Sequence, residues 1–213
     1  PPKPVVDYIK NGSTDQETPK AFPQNTYFLI NTLPDSCKIA EQVAREMGLN
    51  AVTLTTFLEG ESREAGMFFA SLAREIQTNS RPFSAPCVIL AAGETTTKIS
   101  DNEDIRGHGG PSHELVAAFA LAASKVPGAC MLSIDTEGTD GTTLYAGGLT
   151  DSKTAEAARL AGIDLYEALR GHAVGEALVA LNDAVFTGNT GTNLCDLNVL
   201  YVPAAASDRF KKS

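Results

Sequence analysis

The sequence has no tryptophan, only three histidines and four cysteines, and no apolar run near the roughly 18 residues that a membrane-spanning helix needs. Cation is also in short supply, with 17 Lys and Arg against 26 Asp and Glu for a formal net charge of −9. That balance argues against nucleic acid or an anionic membrane as the main partner. A small anion stays open, because backbone donors and a few basic side chains can outweigh the global sign locally. Two phosphate-binding signatures are missing as well. There is no G-x-x-x-x-G-K-[S/T], and R-G-H-G-G-P (Arg106–Pro111) lacks the spacing of G-x-G-x-x-G. The cysteines (Cys37, Cys87, Cys130, Cys195) lie far apart with no C-x-x-C, which predicts buried, reduced thiols and a cytoplasmic setting. His108 and His113 share one loop, but no further ligands stand at zinc spacing. Ser112-His113-Glu114 cannot be a triad, since neighbours at a helix start do not hydrogen-bond in series. His172 reads as a plain loop residue.

What is present fits one large α/β domain. The 213 residues can bury a sizeable core. The chain opens Pro-Pro-Lys-Pro without Met, as a piece of something longer or a processed end would. Residues 1–24 read as a linker or the tail of a preceding domain, with Val5–Ile9 able to form one or two helical turns. The domain proper is expected over 25–203, and 204–213 as a basic, small-residue tail. Thr26–Ile30 (T-Y-F-L-I) predicts a first strand by composition. Apolar spacing over Cys37–Met47, closed by Gly48, predicts a helix, and Ala51–Thr55 a strand. A further helix is expected from the charged turn Leu58–Gly66 to about Ile76. Its acids complement the helix dipole, or one of them or Arg63 faces a cleft.

Val88–Ala92 is a short apolar run suited to a strand buried on both faces, with Thr95–Ile99 as a possible returning strand and Ser100–Ile105 as an acidic turn. Leu115–Ala123, Ser152–Ala161, Asp164–Arg170 and Val174–Ala180 predict helices; Ala129–Ile134, Ala184–Phe186 and Leu194–Val202 predict strands, the last with Asp196 and Asn198 on one face. Leu144–Leu149 has small residues suited to close packing. Strand–helix–strand succession points to an open, mostly parallel or mixed sheet flanked by helices.

Three of these strands adjoin polar, glycine-rich loops. Val88–Ala92 leads into Gly93-Glu94-Thr95-Thr96-Thr97, and Ala129–Ile134 into D-T-E-G-T-D-G-T-T (Asp135–Thr143). Ala184–Phe186 leads into T-G-N-T-G-T-N (Thr187–Asn193). Ligands of open α/β sheets bind outside strand ends, so the loops predict one shared polar site. Glycines before Pro111 at a helix start leave the N–H groups of Ser112 and His113 pointing forward and unpaired, an anion site with Gly109 and Gly110. Glu137 and Asp140 flank Gly138 and can reach one Mg²⁺, or one can serve as a base. Their plainer role is to cap nearby N–H groups. The hydroxyls and amides of Thr190, Gly191, Thr192 and Asn193 exceed what a turn needs.

Taken together, A-G-E-T-T-T (Ala92–Thr97), G-H-G-G-P-S-H-E (Gly107–Glu114), T-E-G-T-D-G-T-T (Thr136–Thr143) and T-G-N-T-G-T-N-L-C-D-L (Thr187–Leu197) resemble the class II glycerate kinases in order and spacing, over the domain called MOFRL. L-E-G-E-S-R-E-A-G is similar to that family's L-E-G-E-A-R-E, and E-T-P-K (Glu17–Lys20) lies near the junction of its two domains. The resemblance implies transfer of the ATP γ-phosphoryl group to D-glycerate, giving 2-phosphoglycerate, with Mg²⁺. It implies a cleft shared with an N-terminal Rossmann-like domain, so that this length alone would be inactive, and a homodimer is a candidate assembly. By that likeness Gly93, Glu94, Thr95, Gly109, Gly110, Ser112, His113 and Thr190–Asn193 hold phosphate or carboxylate. Glu137 and Asp140 hold Mg²⁺ or orient the hydroxyl, and Arg106, five positions before Pro111 on the same loop, is the expected substitute for the family's charge-stabilising Arg. Two positions depart from the pattern: Pro111 stands where the family's G-G-R-N-Q-E has Arg, and Glu137 where T-D-G-I-D-G-P-T has Asp. The alternatives are a small-anion binding module without chemistry of its own, and a hydroxypyruvate reductase.

Overall fold

The computed structural model describes residues 1–12, 17–100 and 104–205. They divide into two units, Pro1–Ile30 and Asn31–Ser213. In the first unit, α1 spans Lys3–Asn11 with no buried residue. Thr26–Ile30 is not a strand: it is extended coil, with the Ile30 side chain 96% exposed. Aromatic and β-branched composition only makes a segment fit for a sheet; a strand also needs a partner, and none pairs with it among the described residues.

The second unit is built on six strands in the order β1-β2-β6-β3-β4-β5. These are β1 (Asn50–Leu58), β2 (Cys87–Gly93), β3 (Cys130–Asp135), β4 (Gly147–Asp151), β5 (Ala184–Val185) and β6 (Asp196–Val202). β1 and β2 are parallel, whereas β6 runs antiparallel to both β2 and β3, and β4 antiparallel to β3 and β5. The sheet is therefore mixed. β2 is buried along its whole length, as its unbroken apolar run requires. The returning strand expected at Thr95–Ile99 reduces to a single bridge between Glu61 and Thr96. The tail from 206 onward and the centre of the expected acidic turn, 101–103, lie outside the described residues.

Helices cover both faces. On one, α2 (Leu33–Glu46) packs Cys37 and Ala44 on Ala51, Val88, Leu90 and Ala92. It starts earlier than its apolar spacing indicates because Thr32 caps it, accepting from Asp35 N, and Pro34 sits in the first turn where no N–H is needed. On the other face lie α3 (Ser62–Asn79), α4 (Pro111–Ala122), α5 (Thr154–Leu160), α6 (Leu165–Arg170) and α7 (Val174–Leu181). α4 is buried from Ser112 to Ala120 and apolar on every side from Leu115 on, the mark of a helix enclosed by protein. α3 approaches it closely at Gly66, where a Cβ would stand 2.2 Å from the Leu115 carbonyl. Gly148 on β4 serves similarly, since a Cβ there would meet Leu178 and Val116 at 2.8 Å. Among the described residues no helix is long and apolar enough to cross a membrane, and all four cysteines are free.

A charged clamp ties α2 to the edge strand. Glu41 Oε1 accepts from Thr53 N (2.6 Å) and Thr53 Oγ1 (2.5 Å), while Arg45 reaches both Glu41 and the Ala51 carbonyl. The Thr53 hydroxyl, with help from Thr53 N–H and Arg45, holds the Glu41 carboxyl below its ordinary value. A depressed carboxylate contributes stability that is complete above the ordinary range, about pH 4.3, and is lost as pH falls through the folded value. Glu41→Gln is therefore expected to cost about 1 kcal/mol at pH 7. Urea unfolding at pH 7 and pH 3 checks this: the gap between wild type and variant should close at the lower pH.

Candidate functional site

One row of the sheet brings the three loops together. Gly93 on β2, Asp196 on β6 and Asp135 on β3 are register partners, in that order. Because β6 is antiparallel to its neighbours, the loops leaving β2 and β3 and the loop entering β6 all emerge at this one end. The N-termini of α3 and α4 reach the same rim, through Ser62 and Ser112. Ser62 Oγ donates to the Thr96 carbonyl (2.8 Å) and lies 3.1 Å from Thr95 Oγ1; Ser133 Oγ donates to Ser112 Oγ (2.9 Å).

The α4 N-terminus is not open. Asp140 Oδ1 accepts from Ser112 N (3.3 Å) and Oδ2 from His113 N (3.0 Å), and His113 Nδ1 lies against the same Oδ2 without hydrogen-bond geometry. The N–H groups expected to await a ligand are thus taken by the chain's own carboxylate. An anion suits this position for the reason any phosphate would: orphan donors and the positive end of the helix dipole meet there. The glycines make the contact possible. A Cβ on Gly110 would stand 2.5 Å from the Asp140 carboxyl carbon, and one on Gly141 2.2 Å from the Gly109 carbonyl. Thr142 N donates to that carbonyl at 3.0 Å. Tyr145 closes the side, its ring edge-on to His113 at 5.0 Å and tilted on Phe186 at 5.1 Å.

The other two loops lock onto each other. Thr190 Oγ1 donates to the Thr136 carbonyl (2.5 Å), Leu194 N to Thr136 Oγ1 (2.7 Å) and Asn193 Nδ2 to Glu137 Oε2 (2.8 Å). Gly138, at φ +99, has room for hydrogen only, since a Cβ would lie 2.0 Å from the Gly188 carbonyl. Much of the polar content of T-G-N-T-G-T-N is spent on this junction. Glu137 and Asp140 consequently face different partners, Glu137 the Asn193 amide and Thr139 hydroxyl (3.1 Å), Asp140 the helix. On the first loop, Gly93 passes close to Leu58, Thr95 is buried and Glu94 is exposed.

Arg106 stays apart from these loops: its guanidinium pairs with Asp104 (3.0 Å) and Glu167 of α6 (3.3 Å). His108 likewise pairs with Glu176 of α7 at 2.7 Å. His172 is no plain loop residue. It is buried at φ +52, with Nδ1 2.6 Å from Glu114 Oε1 and 3.1 Å from Arg63 Nη2; Arg63 Nε bonds Glu114 Oε2 at 2.6 Å. This network borders a cleft of about 220 Å³ whose rim includes Gly107, Gly109, Gly110 and Thr142. Asp196 is the other residue that sequence reasoning did not assign to the site. It is 4% exposed, and burial, reinforced by Asp140, Asp135 and Glu94, pushes its carboxyl up to about 8. Asp135 is also raised, by burial first and by Glu137 and the other acids next. For Asp196 the signal available was its place, two residues from Asn198 on a face that points into the core. Among the described residues, no three His, Cys, Asp or Glu side chains converge to hold a metal ion by themselves.

Known proteins resemble this chain in sequence and fold. The chain is 37% identical over 182 residues to the D-glycerate 2-kinase of Thermotoga maritima, covering 85% of this chain and 43% of that protein. It is 36% identical over 191 residues to the glycerate 2-kinase of Pyrococcus horikoshii, covering 90% and 42% respectively. The crystal structure of a Thermotoga maritima glycerate kinase superposes with a TM-score of 0.82 at 34% identity, covering 93% of this chain and 49% of that one. The chain thus spans under half the length of each of these three relatives. The MOFRL family pattern matches residues 87–196, from the start of β2 to the start of β6. With just over half of its residues inside that pattern, the chain belongs to the MOFRL family, that of the class II glycerate kinases.

Proposed function

We propose that this chain is one domain of a glycerate 2-kinase, which transfers the ATP γ-phosphoryl group to D-glycerate to give 2-phosphoglycerate in a cleft shared with an N-terminal Rossmann-like domain. The observation that carries the reading is the Gly93–Asp196–Asp135 register row, which gathers three glycine- and threonine-rich loops at one end of the sheet. Phosphoryl transfer asks the protein mainly for positioning and for stabilisation of charge, and backbone N–H groups and hydroxyls on interlocked loops supply the first. Gly109, Gly110 and Thr142 border the cleft where a carboxylate or phosphate would sit, with the Thr190–Asn193 loop opposite Glu137. Glu137 is half-buried and oriented by Asn193 and Thr139, so it is the group we assign to take the proton of the attacking glycerate hydroxyl. Mg²⁺, when bound, neutralises phosphate charge. Glu137 and Asp140 do not fit as its joint clamp, because Asp140 is spent on the helix and the two acids have separate partners. The reductase reading finds no dinucleotide fingerprint to support it.

The direct test incubates the native-length protein with ATP, Mg²⁺ and D-glycerate and follows products by ³¹P NMR. 2-Phosphoglycerate is expected; NADH oxidation with hydroxypyruvate, or glycerate binding without turnover, would overturn the assignment. In that protein Glu137→Gln should lower kcat at least about tenfold and leave KM within about threefold, as loss of a general base does. Asp140→Ala should cost about 1 to 2 kcal/mol of stability through loss of the α4 cap, measured by denaturant unfolding. Unchanged stability would show that Asp140 is no cap.

A further inference from the structure

We propose that Asp135, Asp196 and Asn198 form a site for a hard divalent cation, Mg²⁺, on the sheet face beneath the N-terminus of α4. Residues two apart on a strand share a face, and here two strands align the same way. Asp135 stands opposite Asp196, and one step deeper Ser133 stands opposite Asn198. The intervening residues Leu197 and Val199 belong to the other face, against α2. Like charges directly across a strand pair repel, the more so when buried. Asp140 and Glu94 add to the negative potential on Asp196, and the Thr95 N–H opposes it. Among the described residues no Lys, Arg or His lies within ion-pair distance of Asp135, Asp196 or Glu94. So much negative charge at the edge of a core calls for a counter-ion.

Asn198 is the independent observation. It is 1% exposed, and neither Oδ1 nor Nδ2 has a hydrogen-bond partner among the described residues. A buried carboxamide with both ends unpaired is costly, and apolar side chains would serve better if packing were its task, as at Leu200 and Val202 on the same face. Its position beside the two carboxylates gives Oδ1 a role as a neutral third ligand. Two carboxylates, an amide oxygen and water form the hard oxygen set that Mg²⁺ takes, leaving positions for substrate phosphate. Two carboxylates alone do not hold an ion without help, and among the described residues no third His, Cys, Asp or Glu side chain converges with them to hold a metal.

The inference deepens the kinase reading, since phosphoryl transfer takes such an ion, yet ion binding is measured without nucleotide or glycerate. The test titrates the native-length protein with Mn²⁺, reading free ion by EPR and competing with Mg²⁺. Wild type should bind one Mn²⁺ that Mg²⁺ displaces. Asp196→Asn should weaken it at least about tenfold and Asn198→Ala about threefold or more, while Glu137→Gln stays within about twofold. Circular dichroism in Mg²⁺-free buffer controls for folding; Asp196→Asn should melt no lower than wild type, because it relieves repulsion. No bound Mn²⁺ in wild type, or loss with Glu137→Gln but not with Asp196→Asn, would overturn the site. A melting temperature that answers pH but not Mg²⁺ would mean that Asp135 and Asp196 share a proton instead, and would also overturn it. Mn²⁺ binding without kinase turnover would leave the site standing and remove the kinase reading; turnover without Asp196-dependent binding would do the reverse.

Discussion

The contact on which the rest of the site depends is the seat of the Asp140 carboxylate on the first turn of α4. A buried helix start has donors that must be satisfied within the protein, and α4 is the most enclosed helix of the fold. Asp140 meets that demand from 28 residues away in the chain. The constraint then spreads outward. Gly110 must lack a Cβ to admit the carboxylate, Gly141 must turn at φ +59 against the Gly109 carbonyl, and Thr142 must follow so that its N–H reaches the same carbonyl. Once these are fixed, β3 and the α4 entry are locked together, and Glu137 is set at the junction with the third loop. A motif that looks like a ligand cradle is first of all a joint.

Two groups of buried charge flank α4, and the chain treats them differently. Glu114 has Arg63 on one side and His172 on the other, so its burial is compensated by hydrogen bonds and opposite charge. A buried acid with such partners is stable in place but has little capacity left for a ligand. Asp135 and Asp196 have the reverse arrangement, acid facing acid with further acids nearby. Compensated charge is structural economy; uncompensated charge at a sheet end, where substrates of α/β folds bind, is a place for something else to bind.

How far the sequence discloses this differs with the range of the interaction. Gly48, Gly162 and Asp164 mark helix ends by local geometry, and they do so in the structure: the two glycines have positive φ, and Asp164 accepts from Glu167 N. β2 and β6 follow from an unbroken apolar run and from alternation. Thr26–Ile30 fails as a strand because pairing is not a local property. β4 was hidden for the opposite reason: Gly147 and Gly148 weaken strand propensity but are required by close approach to Ser133 and to Val116 and Leu178. The loops of the site were legible as loops. Their inner wiring was not, since Asp140 on α4, Asn193 on Glu137 and His172 on Glu114 are contacts between segments far apart in the chain, and no periodicity records them.

The departure at Pro111 takes on a physical sense from the same geometry. Proline is well suited to the first position of α4, where it costs no hydrogen bond, but it brings no charge, whereas the family pattern has a guanidinium there. A transferring phosphoryl group needs positive charge close by. Arg63, bonded to Glu114 of α4, and Arg106, five residues before Pro111, are both engaged, one with Glu114 and His172, the other with Asp104 and Glu167. Freeing Arg63 would strand Glu114 as a buried, half-compensated charge, a larger loss than a surface ion pair can return. Arg106 is held only by exposed pairs, yet these turn it toward α6. Within this domain a cation held on Asp135 and Asp196 would replace the charge lost at Pro111 at less cost than moving either arginine.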